Sequence, residues 1–239
     1  LLPFRYFSVL NLYLGSWRPD WILVPTPPIT LAPLVWFLKI KYRAKSYLML
    51  RDIFPQNAVD LCLMKTISLP YLLFRIFEKW TYINSDLIGC MSPENIRYIL
   101  SKNDVNSECL HLLPNWISDR YIFHQDVLPQ LRSQYGVLED KFLCIFGGNL
   151  GKPQKVDFLL DVATALRDDT RIHFLVIGSG TEIDFFRHQV MQRCLTNITV
   201  HSSLPRDSYH NLLAVSDLGI ILLNDSFTIP NIPSRLVGY

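Results

Sequence analysis

The chain has no CxxC pair, no cluster of histidines, no internal repeat, no low-complexity tract and almost no net charge. Each absence removes a class of protein. Its five cysteines, Cys62, Cys90, Cys109, Cys144 and Cys194, are scattered and odd in number. That argues against a disulfide framework and for reduced, buried thiols in a cytoplasmic protein. The six histidines are dispersed, so no metal set is expected. A formal charge of +2 leaves no electrostatic footprint for nucleic acid. With 49% hydrophobic and 18% charged residues the chain is not disordered either. Its 239 residues leave room for one large domain or two of about 120.

Charge is also missing from one long run, Trp21–Leu38. That run is long enough to raise a membrane span. Pro25, Pro27, Pro28 and Pro33 argue against it, because they would break the hydrogen-bonded helix a bilayer demands. The better reading is a strand (Trp21–Val24), a proline loop and a helix from about Ile29. After Trp36 and Phe37 that helix ends in a basic tip of Lys39, Lys41, Arg43 and Lys45. The basic excess is confined to the first half: residues 1–116 carry 12 Lys/Arg against 8 Asp/Glu, and 117–239 carry 11 against 13.

What is present is an alternation. Ser46–Leu50, Leu87–Met91 and Cys109–Leu113 read as further strands. Between them lie a helix over Leu69–Tyr82, with Leu72, Leu73, Ile76, Phe77 and Trp80 as its apolar stripe, and another opened by Ser92-Pro93. Residues 117–140 lose the pattern and read as a linker. The alternation then restarts with strands at Phe142–Phe146, Ile172–Ile177, Ile198–His201 and Leu218–Leu223, and helices near 156–167, 182–195 and 207–216. The expected fold class is α/β: two Rossmann-like, doubly wound parallel sheets, in domains 1–116 and 141–239 joined by 117–140. Gly147-Gly148-Asn149-Leu150-Gly151 follows the first strand of the second sheet and Gly178-Ser179-Gly180 the second. Glycine turns at the carboxyl ends of parallel strands, with a helix start beyond, suit a phosphate and raise the odds of a nucleotide site. GGNLG has neither the Walker A nor the dinucleotide spacing, and a plain turn without ligand is the alternative.

Seven short motifs occur in order: PTPP (Pro25–Pro28), RDIFP (Arg51–Pro55), PNW (Pro114–Trp116), GGNLGKPQ (Gly147–Gln154), IGSG (Ile177–Gly180), the run from LPRDSY to SDLGIILL (Leu204–Leu223), and PSRLVGY (Pro233–Tyr239). Together they resemble family 4 (group 1) glycosyltransferases of the GT-B fold, in the branch that builds bacterial O-antigen, capsule and exopolysaccharide. The resemblance implies a retaining hexosyltransferase whose C-terminal domain holds a nucleotide-diphosphate sugar. That sugar is a substrate, so no cofactor and no metal are implied. The N-terminal domain would present a saccharide or polyprenyl-linked acceptor.

Carried over position by position, Gly148, Asn149 and Gln154 fall where the family contacts the donor diphosphate, with Lys152 and Lys155 close by. Gly178 and Gly180, with Leu204 and Arg206, fall near the nucleoside. Ser234 and Arg235 match the Pro-Ser-Lys motif at the phosphates. Arg51 and Asp52 stand where many members have a His-Asp pair beside the transferred sugar. No catalytic base is singled out. The family's first-loop Arg and Lys are replaced by Asn149 and Gln154, and Pro230 and Gly238 stand where paired glutamates are expected.

Plainer readings stay open. Arg51-Asp52 could be a surface ion pair, Arg235 a helix cap, Lys152 and Lys155 solvated charges, Asn115-Trp116 hinge packing, and Asp217 structural. The aromatic-basic tip at 36–45 reads either as a solvated helix end or, with the 69–82 helix, as a peripheral contact with the inner face of the plasma membrane. A sugar-nucleotide epimerase and a degenerate binding subunit are the alternative functions. The chain starts without methionine and stops after a turn-like segment, so a fragment cut at both ends, with both sheets incomplete and inactive by itself, is the expectation.

Overall fold

The structure, a computed structural model, describes residues 17–117 and 128–239. Two four-stranded, all-parallel sheets organise the chain, in two compact units. The architecture is α/β, as the strand–helix alternation implies.

In the first unit the strand order is β1-β2-β3-β4. β1 is Trp21–Pro25, β2 Lys45–Leu50, β3 Leu87–Cys90 and β4 Leu110–Leu112. Its helices are α1 (Ala32–Tyr42), α2 (Gln56–Asp60), α3 (Leu69–Asn84) and α4 (Pro93–Lys102). α3 and α4 begin as a sequence reader expects: Ser68 Oγ and Ser92 Oγ accept from the amides of Tyr71 and Asn95, with proline inside each first turn. The sheet is buried through Val24, Leu48, Leu50, Ile88 and Cys90.

Two segments depart from expectation. The basic tip is not one cluster. Lys39 Nζ donates to Asn84 O at 2.5 Å and lies 2.6 Å from Asp86 Oδ2, so it pins α1 to the end of α3. α1 stops at Tyr42 on a left-handed Arg43, and Lys45 belongs to β2, with Nζ 5.6 Å from the Trp21 ring centroid. The second departure is Ser226–Ile232, which reads as part of the C-terminal half yet belongs to the first unit. Ile229 is buried in its core and Phe227 packs beside it. Thr228 donates from its amide (2.8 Å) and hydroxyl (2.9 Å) to the buried Asp60 carboxylate, and Asn95 Nδ2 donates to Pro230 O at 2.7 Å. Neither element has a periodicity that could announce this docking; the polar anchors Asp60 and Asn95 determine it.

The second unit has strand order β7-β6-β5-β8. β5 is Phe142–Asn149, β6 Ile172–Ser179, β7 Ile198–His201 and β8 Leu218–Gly219. α6 (Asp157–Ala165) and α7 (Ile183–Gln192) cover one face, where Phe146, Phe174 and Phe186 are buried. α5 (Leu128–Gln134) and α8 (Arg206–Ala214) cover the other, over Leu143, Ile145, Leu175 and Ile177. The expected linker, 117–140, falls in part on 118–127, outside the described residues, and its later part is α5. Asp217 is a brace, as read: its Oδ2 accepts from Leu143 N at 2.7 Å and from Arg132 Nη2 at 3.0 Å. Of the five free thiols, Cys90 and Cys144 are buried but Cys62 and Cys194 are exposed, which corrects the expectation that all five are interior.

Candidate functional site

The glycine segments are strand ends, not turns. β5 runs through Gly147, Gly148 and Asn149, and β6 through Gly178 and Ser179, paired in register to the last residue. The reason is steric. A methyl on Gly178 would stand 1.8 Å from Gly148 O, so the bare Gly178 lets the ladder continue where a side chain would force the strands apart. Gly148 also has φ +123°, a conformation that L side chains rarely adopt. The turn follows at Leu150–Lys155, with a single 3₁₀ turn at Lys152–Gln154 before α6 begins. The expected strand–glycine–helix joint is therefore longer than it looked.

Over this bare edge lies Arg235, in the 3₁₀ turn Ser234–Val237. Its guanidinium carbon is 4.6 Å from the centroid of Phe146, and its Nη2 would be 3.3 Å from a methyl on Gly148. Its Nη1 is buried and has no hydrogen-bond partner. A buried guanidinium nitrogen with an unused donor is costly unless something occupies it in function. Ser234 is exposed at the start of the same turn.

Around Arg235 the predicted residues sort themselves. Asn149 Nδ2 donates to Gln154 Oε1 at 3.1 Å, so the two positions that lack the family's cations bond to one another at the strand end. Gly180 sits against Asn149 and Leu150. Lys152 is exposed, whereas Lys155 Nζ is 2.6 Å from Asp225 Oδ2 and folds back on its own unit. Leu204 packs on the interior face beside Tyr209, and Arg206 opens α8 on the surface. The edge thus gathers Gly148, Asn149, Gln154, Gly178, Gly180 and Arg235; Leu204, half-buried, packs against the core instead.

Two tyrosines were not singled out from sequence. Tyr239 Oη accepts from Gly147 N at 3.3 Å and donates to Ile220 O at 3.2 Å, and Tyr209 Oη donates to Tyr239 Oη at 3.4 Å. Burial, with the Tyr239 hydroxyl beside it, holds the Tyr209 phenol neutral far above its ordinary range. The tyrosines roof the end of β5 where Gly147 leaves space, since a methyl there would overlap the Tyr209 ring. The only cue available was the pairing of a bare glycine with late aromatics. A second recess, of ≈ 690 Å³, opens between Arg132, Lys141, Phe142 and Asp217. Its Arg132 is already occupied by Val215 O, Lys141 O and Asp217, at the opposite, amino-terminal edge of the sheet.

In the first unit Thr26 explains the proline loop. Its buried Oγ1 accepts from Arg51 N at 3.0 Å and Asp52 N at 3.3 Å, fixing both residues at the carboxyl end of β2. The two do not act chiefly as an ion pair. Arg51 Nη1 donates to Asn115 Oδ1 at 2.6 Å, and Asn115 Nδ2 donates to Ile232 O. The Asp52 carboxylate accepts from Ile53 N at 2.8 Å and Asn57 Nδ2 at 2.7 Å. Burial raises its pKa against those two donors, which pull it down. Trp116 is exposed. Of the positions expected to hold glutamates, Pro230 offers a carbonyl to Asn95 and Gly238 an amide to Arg235 O. Among the described residues, no group of three or more His, Cys, Asp or Glu converges as a metal set would.

No family model matches the chain. WbjE of Pseudomonas aeruginosa is 22% identical over 222 residues, 91% of this chain and 54% of its own length. WcaI of Escherichia coli (strain K12) is 24% identical over 231 residues, 93% of this chain and 55% of its own. Both are provisionally named glycosyltransferases, the second of colanic acid biosynthesis. The crystal structure of Anabaena Alr3699/HepE in complex with UDP and glucose superposes with a TM-score of 0.68 at 16% identity, over 93% of this chain and 56% of that one. The fold is GT-B. The chain spans about half the length of the curated relatives it matches.

Proposed function

We propose that this chain belongs to a retaining hexosyltransferase of the family 4 (group 1) type. It would move a sugar from a nucleotide-diphosphate donor to a saccharide or polyprenyl-linked acceptor in cell-surface polysaccharide synthesis, on the cytoplasmic side of the membrane. The relatives' names and the fold they share support this reading. The observation that carries it is the unpartnered Nη1 of Arg235 beside the bare end of β5.

Chemically, sugar transfer requires that charge accumulating on the departing diphosphate be stabilised. Arg235 supplies a fork of donors suited to phosphoryl oxygens, held over Phe146 rather than reorganised during reaction. Asn149 and Gln154 would offer neutral donors and acceptors beside it, and the exposed Lys152 a mobile charge. Arg51 and Asp52, fixed by Thr26, are assigned to the transferred-sugar and acceptor side.

Calorimetric titration of the full chain with UDP, GDP and dTDP tests the donor assignment. Binding to one of them supports it, and failure with all three sinks it. Release of free nucleoside diphosphate that depends on an added acceptor distinguishes transfer from interconversion of the nucleotide sugar alone.

A further inference from the structure

α3 is built inside out. Its buried residues are Glu78, Thr81 and Tyr82, and Glu78 is 0% exposed. Glu78 pairs with Arg75 and accepts from Tyr82 Oη at 3.0 Å, while Thr81 Oγ1 donates to Phe77 O at 2.8 Å. Burial pushes the Glu78 carboxyl up, and Arg75, foremost among its donors and neighbouring charges, pulls it back. The side turned to solvent carries Leu69, Leu72, Ile76 and Ile83, of which Ile76 is 61% and Ile83 74% exposed. The loop before the helix adds Ile67 at 88%.

A water-facing helix normally distributes these residues the other way. α1 packs alongside and enlarges the patch with Trp36 and Ile40; the Trp36 and Trp80 ring centroids are 6.4 Å apart. Contiguous exposed apolar surface of this kind marks an interaction site.

The charges around the patch say what covers it. Arg43, Lys65 and Lys79 are exposed on these elements. From Ile29 to Ser85 the acidic residues are Asp52, Asp60 and Glu78. Two of them are buried, and the third is bonded at the end of β2. Just past α3 the exposed Asp86 is held by Lys39 of α1, so the surface is apolar with more cations than carboxylates. A second copy of the chain, joined isologously, would bring those cations against each other. A bilayer with anionic headgroups satisfies both parts: the apolar side chains enter the headgroup–acyl boundary and the cations meet lipid phosphate.

We infer that α3, with the adjoining part of α1, is a monotopic docking face for an anionic phospholipid surface. This deepens the membrane-side part of the function proposed above, and its test uses no nucleotide, so the two can fail separately. No described helix is long and apolar enough to cross a membrane, which leaves surface docking as the mode for this face.

The test is co-sedimentation of the full chain with phosphatidylglycerol–phosphatidylcholine vesicles and with pure phosphatidylcholine vesicles, at low (about 0.05 M) and high (about 0.5 M) salt. Two variants accompany it: Leu72→Gln/Ile76→Gln, and Arg43→Glu/Lys65→Glu/Lys79→Glu. The expected result is binding to the anionic vesicles, weakened by salt and cut about tenfold or more in partition coefficient by each variant, with thermal midpoints unchanged. Absent binding, equal binding to pure phosphatidylcholine, or variants that bind as well as the parent would overturn the inference. So would a lowered melting temperature for Leu72→Gln/Ile76→Gln, which would mean that another part of the chain covers the face. A lipid-free oligomer that the same variant dissolves would identify a second copy as the occupant and overturn it too.

Discussion

Arg235→Met separates a ligand-binding arginine from a structural one. Methionine keeps an unbranched apolar stem over Phe146 and removes the guanidinium. Without ligand, the buried Nη1 lacks a partner and costs about 1–3 kcal/mol. The stacking of the cation on Phe146 returns about 0.5–2 kcal/mol. The two nearly cancel, so the melting temperature of the variant should stay within roughly 4 °C of the parent. With a diphosphate bound, the same group makes charge-assisted hydrogen bonds worth about 1.5–3 kcal/mol. UDP should therefore bind the variant about 10- to 150-fold more weakly in calorimetric titration. Arg235→Lys, which keeps the charge but not the fork, should fall between. Equal UDP affinity in parent and Met variant would refute the reasoning. A large drop in melting temperature would do so as well, because it would make Arg235 a brace.

Three further outcomes follow from the packing. Gly178→Ala places a methyl 1.8 Å from Gly148 O, so β5 and β6 must separate; urea unfolding should show a loss of about 3 kcal/mol or more, larger than for an alanine at an open glycine such as Gly136. Asp60→Ala removes the buried carboxylate that holds the Thr228 amide and hydroxyl; Thr228 itself is exposed, so water can replace the partner and the cost should be about 1–2 kcal/mol, with a loss of amide protection concentrated at 226–232 in hydrogen exchange. His173 is held below the ordinary imidazole range by burial and then by Lys141. The unfolded chain therefore takes up its proton first: stability is full above about pH 7, falls as pH drops below about 6.5 towards the folded-state value, and His173→Gln should flatten that slope in pH-dependent melts, leaving the share of His210, whose pKa burial also lowers.

Much of this is legible in the sequence, for identifiable reasons. Fully buried parallel strands are continuous apolar runs, so β5, β6 and β7 stood out, and Ser92-Pro93 announced its helix through capping chemistry. The misreadings share a cause: a local pattern settled by a distant partner. Leu218–Leu223 has the composition of a long strand, but β8 stops at Gly219, and by Asn224 the chain bonds instead to Pro153 O and Lys152 O. The glycines beside the site read as turns because glycine usually punctuates; here they permit two strands to touch. The period of α3 showed a stripe but not its direction, which the buried Glu78–Arg75–Tyr82 set reverses. Of the site, the glycine edge and Arg235 could be read from motif order, whereas Thr26, Asp60 and the paired tyrosines could not, since each acts on a residue far away in the chain.

The placement of Ser226–Ile232 bears on how the protein is made. Asn95 waits for a carbonyl 135 positions downstream, and the core around Ile88 is completed only by Ile229. Synthesis is vectorial, and domains made first usually fold first. Here the first sheet emerges from the ribosome with its core unfinished and stays so until all four strands of the second sheet have been translated. The amino-terminal half is thus a client of the carboxyl-terminal half during biogenesis. A ribosome stalled just before Ser226 would hold a nascent chain whose first sheet remains sensitive to protease, and emergence of Ser226–Ile232 from the exit tunnel would end that sensitivity.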